Sequence, residues 1–361
     1  MQWNKFGSRL GRWWMAAVLG AVLTGCGGGG GGDGEDAAAV GGGLAGGEVV
    51  VAPPPPDARS GDYTMLAADG REYTLKLDFD AATWRIAGTD FERAGSFGAG
   101  SHGEFHVTPS NSVGAAGTTT LRFTQFSDTV LGTAELKSGV QPFLASRALA
   151  TSVAAAAGVY NILGREIFDD GRLNTTIQQG EVTASGELLL CEHNVIHTVA
   201  SCPAEGLVRA PLTVEGSLFI GHASGGKVPF RVIHIGEERI FVRASRAGNN
   251  IRSRFMVGVP AGTAYASAAF RGGATDASWG TDTVSIGSFA RKAVLPNGDA
   301  VEISGSPRPL GGDTDSRGNL LGIGTIDSGS FFAVRSRELG IVSAARNSQE
   351  MLGYFAIGRR Q

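Results

Sequence analysis

Five arginines, Arg239, Arg243, Arg246, Arg252 and Arg254, crowd around residues 247–250 of the sequence. A guanidinium offers N–H donors in a planar fork that matches carboxylate, phosphate and sulfate oxygens. Arg252 and Arg254 share one face of a strand by period two. A hairpin so charged can take an acidic partner, a phosphate or a sulfated glycan as an anion-binding site. The alternative is a solvated edge, where charges keep other strands from pairing. Cys191 and Cys202 are the second chemical feature. They form an even pair once Cys26 is set aside, and such a pair in an oxidising compartment points to a disulfide. Closing so short a loop stabilises by about 2–3 kcal/mol in the chain-entropy model. His193 and His197, between the cysteines, carry the right atoms for zinc. However, His-x3-His suits a helix, this stretch reads as strand and loop, and no third ligand is close in sequence, so no metal is expected.

Three other patterns come near a motif and miss it. Residues 98–103 match G-x-G-x-x-G, but a dinucleotide site needs a following helix and Glu104-Phe105-His106-Val107 is strand-like; a glycine loop is expected, with no cofactor. Residues 313–319 begin like a calcium loop, yet Arg317 stands where an Asp or Asn is wanted and Gly324 where the bidentate Glu belongs. In Gly221-His222-Ala223-Ser224-Gly225 the serine is not central, as a nucleophile elbow requires. A Ser-His-Asp triad can assemble from distant positions on any fold, but nothing here selects one. The expectation is a non-catalytic binding or envelope module with an unknown protein or small-molecule partner. Two alternatives stand beside it: a lipocalin-like carrier of a small apolar ligand and an extracytoplasmic hydrolase.

The whole chain has 361 residues, 42% of them hydrophobic, 18% charged, and a net charge of −3. That apolar content supports a packed core. The near-neutral charge argues against nucleic acid, whose phosphates call for a basic surface. Glycine is in excess, 56 residues, but aperiodic, which excludes collagen. Trp3, Trp13 and Trp14 lie near the N-terminus and only Trp84 and Trp279 further on, which disfavours a lectin platform.

Residues 1–14 carry Lys5, Arg9 and Arg12 and no acid; a short apolar run follows at 15–23. This is the layout of a secretory signal peptide, and nine apolar residues are too few to span a bilayer. Leu23-Thr24-Gly25-Cys26 resembles the lipobox of bacterial lipoproteins. The resemblance implies a signal peptide over 1–25 and lipidation of Cys26, and Gly27 in place of Asp implies the outer membrane. Several acyl chains anchor stably where one is marginal. Residues 26–59 hold six successive glycines at 27–32 and four prolines at 53–56, a flexible tether that buries nothing and ends in a stiff polyproline piece. A lipobox followed by a glycine run is similar to surface lipoproteins of the transferrin-binding protein B type, which implies display on the cell surface.

From Asp62 onward, short alternating or apolar runs alternate with turn residues. Glu72–Asp78 (EYTLKLD) and residues 228–235 (VPFRVIHI) are examples, with Asp69-Gly70, Asp170-Gly171, Asn249-Asn250 and Asn297-Gly298 as turns. The spacing predicts an all-β protein of antiparallel barrel or sandwich units, with type I′ hairpin turns at the Asp-Gly and Asn-Gly pairs. The alanine run at 154–157 admits at most a turn of helix. It divides an N-terminal β unit, 60–150, from a C-terminal barrel-like domain, 155–361. Ala154–Ala157 followed by Gly158-Val159-Tyr160 resembles the opening of lipocalin-type barrels, where a short helix precedes Gly-x-Trp and the aromatic closes the barrel base. Residues 351–360 read as a closing strand, similar to the last strand of transferrin-binding-protein barrels.

Overall fold

In EYTLKLD, alternation sends Tyr73, Leu75 and Leu77 to one face and Glu72, Thr74 and Lys76 to the other. That pattern recurs along a computed structural model that describes residues 55–107, 121–192, 197–246, 251–262, 267–285, 288–306, 308–309, 323–326, 331–344 and 353–361. The first eight strands are β1 (Gly61–Ala67), β2 (Glu72–Asp78), β3 (Thr83–Gly88), β4 (Phe91–Ala99), β5 (Glu104–Val107), β6 (Leu121–Phe126), β7 (Thr129–Leu136) and β8 (Gly139–Ser146). They form an antiparallel meander that closes on itself as β8 pairs with β1. A helical turn α1 (Val153–Ala156), capped by the Ser152 hydroxyl on the Ala155 amide, follows.

The second barrel comprises β9 (Gly158–Phe168), β10 (Leu173–Val182), β11 (Glu187–Cys191), β12 (Leu207–Glu215), β13 (Leu218–Ala223), β14 (Gly226–Ile235), β15 (Glu238–Ser245) and β16 (Ile251–Pro260), closed by β16 on β9. The remaining strands are β17 (Ala268–Ala274), β18 (Trp279–Ser285), β19 (Ser288–Val294), β20 (Ala300–Gly305), β21 (Arg308–Pro309), β22 (Ile323–Ile326), β23 (Phe331–Arg335), β24 (Leu339–Ala344) and β25 (Phe355–Arg360). They form one nine-stranded antiparallel sheet in which β25 lies between β17 and β24, and β20 and β21 are the two edges. Those edges are three residues apart in sequence, which limits their separation to about 10 Å. The sheet curls as a half-barrel, open between these edges. The all-β expectation holds, and within 155–361 the strands divide between a closed barrel and this open one.

Each closed barrel is sealed at its base by the same device. In both, a Gly-x-Tyr opens the first strand and the tyrosine hydroxyl donates to the carbonyl four residues back: Tyr63 to Arg59 at 2.6 Å and Tyr160 to Ala156 at 2.5 Å. An arginine then donates to the carbonyl just before the glycine. Arg147 reaches Ser60 at 3.0 Å and Ala58 at 3.0 Å, its guanidinium 4.8 Å from the Tyr63 ring. Arg239 reaches Ala157 in the same way. The Gly61-Asp62-Tyr63 copy is as plain in the sequence as the Gly158-Val159-Tyr160 one.

The turns differ from expectation. At Asp69-Gly70, Asp170-Gly171 and Asn297-Gly298 only the glycine has positive φ, at 76°, 82° and 90°. The strand-end amide also bonds four residues ahead, as in Ala67 to Arg71 at 3.1 Å. These are three-residue hairpins, a type I turn followed by a left-handed residue, and not type I′. The Asp or Asn side chain favours this form by accepting the amide two residues on, as Asp69 does from Arg71 at 3.1 Å. The Asn249-Asn250 turn lies outside the described residues.

The outer faces are also used. Leu66, Leu131 and Leu144 of the first barrel, Leu163, Val242 and Phe255 of the second, and Trp279, Ile341 and Phe355 of the sheet join one apolar core. This is why β7 and β24 are buried on both faces. Each such side chain contributes about 1.5–3 kcal/mol. Polar ties lie around that core. Arg231 meets Glu72 with two bonds of 2.8 Å, and Glu238 accepts from Ser336 Oγ at 2.5 Å and the Arg337 and Glu338 amides at 2.9 and 3.0 Å.

Candidate functional site

The inward rows of the second barrel run from apolar to charged. At the base and middle, Tyr160, Ile162, Phe219, Phe230, Phe241 and Met256 pack as one cluster. Phe230 lies 5.3 Å from Phe219 and 4.7 Å from Phe241, ring centre to ring centre, in stacked pairs. Stacked rings at these distances fill the lumen and contribute beyond their buried area. Continuing by period two toward the other end, β9 presents Glu166 after Ile162, β15 presents Arg243 after Phe241, and β16 presents Arg254 before Met256. The register sets Glu166 opposite both Arg254 and Asn174.

Glu166 is saturated. Arg254 Nε donates to Oε1 at 2.5 Å and Asn174 Nδ2 to Oε2 at 2.8 Å. Arg243 is not. It is 6% exposed, its Nε has no acceptor, and none of its nitrogens makes an ion pair or hydrogen bond within the described residues. Burial, and then the charge of Arg254, pull its pKa down to about 10, with Glu192 and Glu166 opposing. The group is still a cation at neutral pH. One row deeper, Gln178, 4% exposed, also leaves its Nε2 without an acceptor. The mouth thus holds two guanidinium groups against one carboxylate, with unanswered donors below the rim. Chemically it can accept a carboxylate, phosphate or sulfate group.

The predicted arginine cluster is therefore divided. Arg243 and Arg254 meet on the lumen face. Arg246 and Arg252 are exposed beside residues 247–250, which lie outside the described residues. Arg239 is at the other end of β15, about 13 Å from Arg243 at the usual strand rise, and serves the base as described. The hairpin reading placed all five at one turn because it did not count strand length. It missed Glu166, Asn174 and Gln178 altogether. Their signal was a polar residue at an inward position of an apolar row, as at Tyr160, Ile162, Gly164 and Glu166.

Cys191 and Cys202 form the disulfide, with Cα atoms 5.7 Å apart. It staples the loop after β11, at the mouth end, back along the outside of the barrel, where the Val199 amide donates to Gln179 Oε1 at 3.0 Å. Both thiols are consumed, His193 lies outside the described residues, and no metal-binding group of three appears among the described residues. Residues 98–103 form the end of β4 and a one-turn 3-10 helix (Ser101–Gly103) that leads into a strand. His222 bonds Thr213 at 3.0 Å. The calcium-like stretch 313–324 lies mostly outside the described residues. Trp84 and Trp279 are both buried.

No family model matches the chain, and no curated protein sequence matches it. Among solved structures, a protein of unknown function from the DUF3598 family of Nostoc punctiforme aligns over 84% of this chain and 94% of its own, at 10% identity and a TM-score of 0.19.

Proposed function

We propose that this chain is an outer-membrane lipoprotein, anchored through Cys26 and spaced from the bilayer by residues 26–59, whose β head binds an acidic partner at the mouth of the second barrel and catalyses no reaction. Arg243 carries the binding reading. A cation buried without a partner is unfavourable in the free protein, and a ligand oxygen supplies what it lacks. The stacked rings below favour capture at the mouth over carriage of an apolar ligand inside.

The test is co-purification of partners from intact cells with wild-type protein and with Arg243→Met and Arg254→Met. Retention should fall at least tenfold in both variants; unchanged retention in both refutes the site. Labelling with a palmitate analogue addresses the anchor, and a Cys26→Ala protein that still partitions with membranes refutes it. Protease shaving of intact cells addresses display: a head that survives until the outer membrane is opened faces the periplasm.

A further inference from the structure

A second polar recess lies between the first barrel and the C-terminal sheet. It is a cavity of about 170 Å³ walled by His102 and Glu104 on one side and by Trp279, Arg271, Arg359 and Arg360 on the other. Three arginines share this lining with one glutamate, beside Thr124 and Gln361.

The three cations are not equivalent. Arg271 is committed: its Nη2 and Nε donate to one oxygen of Glu104 at 3.1 and 3.3 Å, and its Nη1 to Thr281 at 3.2 Å. Arg359 places its guanidinium carbon 4.2 Å from the centre of the Phe126 ring. Its Nε is buried without an acceptor, and no carboxylate among the described residues bonds to it. Trp279 is 2% exposed and its indole N–H also has no acceptor among the described residues. Two buried donors without acceptors thus belong to residues that wall one positively charged cavity. Native proteins leave few such groups.

The glycine loop at 98–103 has its use here. A Cβ at Gly100 would lie 2.8 Å from Glu104 Cγ and 2.9 Å from His106 Nδ1, and the Gly100 amide donates to the Glu104 carbonyl at 2.7 Å. Only a residue without a side chain lets the loop fold Glu104 back onto Arg271. The near-motif forms the lip of this recess.

We infer that the recess binds a small organic anion, a compact carboxylate or phosphate, through Arg359 and the Trp279 N–H, with Glu104 holding Arg271 in reserve. The volume is below the ~300–1,000 Å³ of sites for larger ligands, which restricts the ligand to a compact species. This inference is independent of the second-barrel mouth.

The test is calorimetric titration of the full chain with phosphate, sulfate, succinate and citrate at constant ionic strength, with tryptophan emission followed in parallel. At least one anion should bind with a saturable change in tryptophan emission. Arg359→Met should weaken it tenfold or more, Arg359→Lys should retain most of the affinity, and Trp279→Phe should weaken it a few-fold and remove the emission change. Glu104→Gln, by releasing Arg271, should tighten it several-fold. No saturable binding by any of the four anions overturns the inference. Binding that survives Arg359→Met but is lost in Arg243→Met also overturns it and assigns the anion to the barrel mouth.

Discussion

The two closed barrels share strand number, closure and base, and each holds a buried charge at the end away from its base; they differ in how Asp69 and Arg243 are answered. At the far end of the first lumen, Asp69 accepts from the Tyr73 hydroxyl at 2.8 Å, from Ser138 Oγ at 3.1 Å and from the Arg71 amide at 3.1 Å. At the mouth of the second, Arg243 has no acceptor among the described residues. The two ends adjoin, since a Cβ on Gly70 would come within 2.6 Å of the Ser245 carbonyl. A saturated buried charge holds structure, whereas an unanswered one is available to a ligand. The shared scaffold says nothing about which is which; the partners do.

The largest effect should come where the barrels are alike. Phe123→Ala and Phe230→Ala each remove a ring from a packed lumen and should cost about 3–5 kcal/mol in denaturant unfolding. A loss under about 1 kcal/mol at Phe230 alone would mean the second lumen is loosely filled and would revive the carrier reading. Next, the Cys191→Ala, Cys202→Ala double variant should lose about 2–3 kcal/mol, read as a lower Tm that reductant no longer changes. The contrast itself predicts opposite signs. Asp69→Ala strands the Tyr73 hydroxyl and should cost about 1–3 kcal/mol, whereas Arg243→Met should be neutral or stabilising, as replacing a buried charge by an apolar group often is. Equal losses at both would remove the distinction drawn between them.

A smaller effect concerns the common hairpin turn. The β17–β18 turn places Ala277 at φ 65° where the first barrel has Gly70 at 76°. Ala277→Gly should therefore stabilise by up to about 1 kcal/mol, while Gly70→Ala should destabilise through both strain and the Ser245 carbonyl. Thermal unfolding of the two variants checks this. The smallest concerns pH. Hydrogen bonds from Arg59 hold the Asp57 carboxyl down at about 2. A depressed carboxylate pKa adds stability that is present above the unfolded value near 3.8 and lost as pH falls toward 2. Asp57→Asn should flatten that stretch of the acid unfolding curve slightly.

Much of this was legible in the residues. EYTLKLD and VPFRVIHI show a lumen face by alternation, and residues 355–360 do form a strand, though it lies inside the nine-stranded sheet between β17 and β24 and does not close it. The disulfide followed from cysteine arithmetic, and the alanine run did yield α1 and little more. What stayed hidden depends on pairing at a distance. Residues 129–136 (TVLGTAEL) lose their alternation because the outer face of β7 is covered by other units, so nothing local marks them as a barrel strand. Glu166 reads as one acid among many until Arg254, 88 residues later, is brought beside it. Glycine was also ambiguous. Gly164 and Gly258 lie inside strands, where a Cβ would strike Met256, Ile162 or Phe241. They make room for large lumen neighbours and do not turn the chain.

The base device of the first barrel has a mechanical consequence. Under the proposed anchoring through residues 26–59, tension would enter the fold through residues 58–60. The carbonyls there are gripped by Arg147 at Ala58 and Ser60 and by Tyr63 at Arg59. Arg147 follows β8 and is itself held by Asp128 at 2.8 Å, so a pull is shared with the β6–β7 turn and the last strand of the barrel before it can peel β1 from β2. The bonds that seal the barrel also act as its strain relief.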